Sequence, residues 1–144
     1  MKKHTRRTIR DPMSWIAKRT PLASDQQRDI GIAYHASLQA MLRGMGNEQA
    51  WSTLACSINT TLLLCERGYC AGAIATIKLA QQALMLSRLR AAKLHRWGFS
   101  GDEARLVMSA CNIHDEQLSR CTRDDIAASL REVHRRIEME EVLA

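Results

Sequence analysis

"SDQQRDIGIAYHASLQAMLRGMG" (residues 24–46) decides the fold class. Ser24 and Gln27 have the spacing of a capping box, in which Ser caps an amide three residues on and Gln reaches back. Ile30, Tyr34, Leu38, Met41, Leu42 and Met45 then recur at steps of three and four, one apolar stripe of a helix. Gly44 and Gly46 stop it.

The same grammar repeats along the chain. Asn47 caps a second helix carrying Trp51, Leu54, Ala55, Ile58, Leu62 and Cys65, which ends at Gly68. A third helix is expected over about residues 71–97, ending at Gly98. It is apolar on several sides, through Ile74, Ile77, Leu79, Leu84, Met85, Leu86 and Leu89. That breadth predicts a central helix with neighbours on more than one face. Ser100 and Glu103 form a second capping box ahead of a fourth helix with Leu106, Ala110, Ile113 and Leu118. Thr122 caps a fifth, whose stripe is Ile126, Leu130, Val133 and Ile137. Strand patterns and internal repeats are absent from the sequence. The expected fold is all-α, an antiparallel bundle of about five helices over residues 24–144, preceded by a basic N-terminal arm over residues 1–23. Within that arm, Trp15 and Ile16 are expected to dock on the body through one short turn.

The charge is unevenly placed. Residues 1–19 hold Lys2, Lys3, Arg6, Arg7, Arg10, Lys18 and Arg19 against the single acid Asp11, which is the whole net charge of +6. Residues 20–144 balance fourteen bases with fourteen acids. The balanced part is itself polarised. Six bases and no acid lie between Arg67 and Gly101, whereas ten acids face six bases from Asp102 onward. Charge placed this way speaks to partners and leaves the fold open.

Five cysteines, Cys56, Cys65, Cys70, Cys111 and Cys121, show neither disulfide-framework nor CxxC spacing, as expected of buried thiols in a reducing cytoplasm. No apolar run approaches the roughly 18 residues a membrane span needs, and none follows the N-terminal bases as a secretory signal would.

"CNIHDEQL" (residues 111–118) is the most chemical stretch. Cys111 and His114 stand three apart on one helix, as two metal ligands would. A zinc site needs three or four ligands, and His35, Cys121 and His134 supply no recognised spacing. Cys111 is therefore expected in the core with His114 and Asp115 at its margin or on the surface, and no metal or other cofactor is expected. P-loop, dinucleotide and hydrolase signatures are missing, which favours a non-enzymatic protein. "WSTLACSIN" (residues 51–59) lacks the turn of a helix-turn-helix, because its apolar period runs on to Cys65. Arg88, Arg90, Lys93 and Arg96 spread widely around the third helix and suit its C-terminal dipole. Trp97 and Phe99 are expected to anchor the following loop.

The order of features is similar to that of a group of short uncharacterised proteobacterial helical proteins associated with phages, plasmids and genomic islands. The likeness rests on "RDPMSWI" (residues 10–16), "SINTTLLLCERGY" (residues 57–69) and "CNIHDEQLSRCTRDDI" (residues 111–126). It implies a cytoplasmic accessory protein of bacteria or their mobile elements and lends no catalytic residues. The charge of the arm, weighed against an inert solvated leader and against an acidic protein or membrane surface, sets the expectation of a protein that binds nucleic acid, or a nucleoprotein complex, through phosphate contacts of that arm. The alternative is a helical module that docks on a host protein, with a homodimer also compatible with the polarised body.

Overall fold

A computed structural model of the chain describes residues 20–140, 142 and 143. The described residues form five α-helices: α1 (Ser24–Leu42), α2 (Glu48–Glu66), α3 (Ile74–Leu94), α4 (Gly101–Leu118) and α5 (Arg123–Glu138). A short 3-10 turn, Ala71–Ala73, leads into α3. Among the described residues no strand occurs, only one antiparallel bridge between Pro21 and Thr122. No helix among them is long and apolar enough to cross a membrane. The all-α bundle expected from the apolar periods is the fold observed.

Local signals place most helix ends. The Asn47 side chain accepts from the Ala50 amide at 2.8 Å. Ser100 and Glu103 close their box in both directions, as do Thr122 and Asp125. The first cap is shifted. Ala23, not Ser24, is the N-cap of α1, and the reaching glutamine is Gln26, whose Oε1 accepts from the Ala23 amide at 3.1 Å. Alanine has no oxygen to offer, so only half of the expected box exists, and Gln27 instead donates to the Leu22 carbonyl at 2.9 Å.

Helix α1 ends in a Schellman turn. The Gly44 amide donates to Met41 O and the Met45 amide to Ala40 O, with Gly44 at φ 67°. Helix α2 closes the same way through Gly68 and Tyr69. Gly98 does not end α3, contrary to its position in the sequence. The helix stops at Leu94, and His95 takes the left-handed conformation. Gly98 is small for another reason: a Cβ there would stand 3.1 Å from the Gly44 Cα. Two loops, α1–α2 and α3–α4, meet at that point, where the Gly46 amide also donates to Trp97 O at 3.2 Å.

The central helix is α2, not α3. Helix α2 packs against α1, α3, α4 and α5, and α5 lies on α2 rather than mainly on the helix before it in sequence. Trp51, Leu54, Ile58, Leu62, Leu63 and Leu64 are buried on it, and so are Asn59, Thr60 and Thr61. The threonines tolerate burial because each hydroxyl donates to the carbonyl one turn back, Cys56 O and Ser57 O, at 2.8 Å. Asn59 is satisfied by the Leu143 carbonyl at 2.7 Å and by the Gln81 amide at 2.9 Å. Helix α3 buries Ile77, Ala80, Ala83, Leu84, Ser87 and Ala91 but leaves Leu79, Met85, Leu86, Leu89 and Leu94 exposed. Its apolar breadth is therefore only partly covered by the fold.

Candidate functional site

The stretch on α4 gains its partners from α1. Asp115 receives the Tyr34 hydroxyl hydrogen bond, and His35 Nε2 lies 2.9 Å from both of its carboxylate oxygens. Tyr34 is buried and His35 half-buried, so one carboxylate is held from beneath and from the surface side. Burial and the adjacent carboxylate push the Tyr34 phenol far above its ordinary range.

His114, the neighbour of Asp115 on α4, is buried, with its ring centroid 5.1 Å from that of Tyr34. Gln117 orients it. The Gln117 amide nitrogen donates to Thr61 O at 3.0 Å and Tyr69 O at 3.1 Å. Its oxygen, 3.3 Å from His114 Nδ1, is then left to accept, which assigns the neutral Nδ1–H tautomer. Burial pulls the imidazole down to about 4, and burial, with Asp115 second, pushes the Cys111 thiol up to about 12. A neutral imidazole and a protonated thiol supply neither a thiolate nucleophile nor an imidazolium at neutral pH. Cys111 packs in the core as expected, but His114 belongs to the core as well and not to its margin. Among the described residues no three His, Cys, Asp or Glu side chains are placed to hold a metal ion. The cluster thus ties α1, α2 and α4 together. His35 and Asp115 also line a shallow surface concavity of about 440 Å³ with Gln27, Gly31 and Ile32.

The buried imidazole fixes a pH dependence. Its folded value of about 4 lies below the ordinary 6.5, so the unfolded chain takes up this proton first. Stability from this group is complete above pH 6.5 and is lost as pH falls towards 4, by about 3 kcal/mol. Urea unfolding at several pH values checks this, and a His114→Phe chain should lose that part of the acid slope.

The bases near the end of α3 are dispersed. Arg88 lies over the Trp51 ring, 5.0 Å from its centroid. Arg90 forms a two-pronged ion pair with Glu103, with Nη1 2.9 Å from Oε1. The Arg96 guanidinium rests against Gly44, where a Cβ would collide with it. They make no common stripe. Trp97 and Phe99 pack half-buried against the core, as expected of loop anchors.

Lys2, Lys3, Arg6, Arg7, Arg10, Lys18 and Arg19 lie outside the described residues, as do Trp15 and Ile16. Beside them, sequence patterning missed two features. One is the Tyr34–His35–Asp115 assembly, whose partners are about eighty residues apart. The other is the uncovered row on α3, legible as apolar but not as exposed. No protein-family model matches the chain, and no curated protein or solved structure is significantly similar to it.

Proposed function

We propose that this chain is a non-enzymatic accessory protein, bacterial or of a mobile element and cytoplasmic, that binds nucleic acid or a nucleoprotein complex through its basic leader. Lys2, Lys3, Arg6, Arg7 and Arg10 contact phosphates, helped by Lys18 and Arg19. The observation that carries this is the charge partition: the leader holds the entire net +6, and the remainder is neutral.

The body supports the proposal through what its carboxylates already do. Asp102 pairs with Arg105, Glu103 with Arg90, Glu116 with Arg120, and Glu132 with Arg135 and Arg136. Asp125 is held by Arg67 and Tyr69, and Asp115 by Tyr34 and His35. Exposed pairs of this kind are individually weak. Even so, a leader folding back would compete with neighbours already in place on six carboxylates. Phosphates, which release condensed counterions on neutralisation, are the better partner for the leader's cations. Contact is to backbone rather than base edges, since no described helix presents a base-reading set.

Labelled duplex and single strands titrated at several salt concentrations test the proposal. Deleting residues 1–19 removes no residue of the described core, the first of which is Leu22. The deletion should weaken binding by more than about tenfold and flatten its salt dependence. Unchanged affinity and slope after deletion would overturn the proposal.

A further inference from the structure

The exposed side of α3 carries a second, independent feature. Ala75, Leu79, Gln82, Leu86, Leu89 and Lys93 follow one another at steps of four, three, four, three and four. That alternation is the seam spacing of a coiled coil, and it runs along the side of α3 opposite the buried Ile77, Ala80, Leu84 and Ala91. Leu79, Leu86 and Leu89 are 47%, 54% and 54% exposed, with Met85 beside them. Isolated surface leucines are ordinary, but a contiguous row along one helix marks an interaction face.

Charge selects the occupant. No acid lies between Arg67 and Gly101, and Lys78 and Lys93 stand along the row with no carboxylate partner among the described residues. A second copy laid α3 against α3 brings the same acid-free helix and is repelled. The leader, with seven bases and one acid, is repelled too. We propose that this face of α3 docks an acidic amphipathic helix of another protein, its leucine-type residues meeting Leu79, Leu86 and Leu89 and its carboxylates meeting Lys78 and Lys93. Gln82, the polar member in mid-row, sets the register, as a single polar seam residue does in coiled coils. On one side the face is bounded by Met85 and Arg88, beside Ile137, Glu140, Val142 and Leu143.

The probe is a labelled three-heptad peptide with Leu at the seam and Glu at the flanking positions, compared with a twin bearing Lys in place of Glu. Fluorescence anisotropy with the full chain should show saturable binding of the acidic peptide, and affinity for the basic twin lower by about tenfold or more. The surface double variant Leu86→Ser/Leu89→Ser, verified as folded by circular dichroism, should lose about tenfold or more as well. Deleting residues 1–19 should change neither result, which separates this face from the leader's nucleic-acid binding. Absence of acidic-peptide binding, equal affinity for the two peptides, or binding indifferent to the double variant overturns the proposal. So does light scattering that finds a dimer dissociated by the double variant, since the face then belongs to a second copy.

Discussion

Trp51→Ala is expected to lower folding stability by about 3–5 kcal/mol, the largest single-residue effect in this chain. Trp51 is among the largest fully buried side chains and stands on the central helix α2. Its indole Nε1 donates to the Leu84 carbonyl at 2.8 Å, so the ring joins α2 to α3 by a hydrogen bond as well as by packing. The Trp97 ring lies 6.3 Å away and the Arg88 guanidinium covers the indole. Truncation therefore opens a cavity, removes the donor and strips the support under the α3–α4 loop. Urea denaturation reads the loss as a lower midpoint at unchanged slope. Trp51→Phe, which keeps most of the apolar volume but not the donor, should cost about 1–2 kcal/mol. It serves if the alanine chain does not fold. A loss under about 1 kcal/mol for Trp51→Ala would show that the indole is not a structural anchor.

Gln117→Leu is expected to cost about 2–4 kcal/mol although it places an apolar side chain in an apolar interior. Gln117 is fully buried, and its amide nitrogen satisfies two carbonyls, Thr61 O on α2 and Tyr69 O just past the Schellman turn. Leucine leaves those carbonyls one donor short and the His114 Nδ1–H without an acceptor. The cost lies in the orphaned partners, since the amide itself is no longer present to be desolvated. His114→Phe combined with Gln117→Leu should therefore cost less than the sum of the two single changes. Thermal unfolding of the four chains measures that coupling, and strict additivity would refute the shared network.

The helix ends were legible where the signal is local. Asn47, Ser100 with Glu103, and Thr122 each act within one turn of their own position, so no tertiary information is needed to read them. The first cap slipped because Gln26 and Gln27 are adjacent, and sequence alone does not say which one turns back. Centrality was not legible. Apolar breadth pointed to α3, yet Thr60, Thr61 and Asn59 let α2 bury more of its circumference once their polar groups had found partners. Counting apolar residues ignores that polar side chains bonded to backbone can be buried at low cost. The assembly at Asp115 was illegible for another reason. Tyr34 and His35 lie on α1, and only the packing of α1 on α4 brings them to the carboxylate.

The most direct measurement of the central claim is the salt slope of duplex binding by the full-length chain. It is to be compared with a chain in which Lys2, Lys3, Arg6, Arg7 and Arg10 are all glutamine. Each phosphate contact contributes about −0.9 to the slope of log affinity against log salt, so the loss of five contacts predicts a slope shallower by about 4 to 5 in the variant, where only Lys18 and Arg19 still reach phosphates. An identical steep slope in both chains would place the phosphate contacts elsewhere and contradict the account.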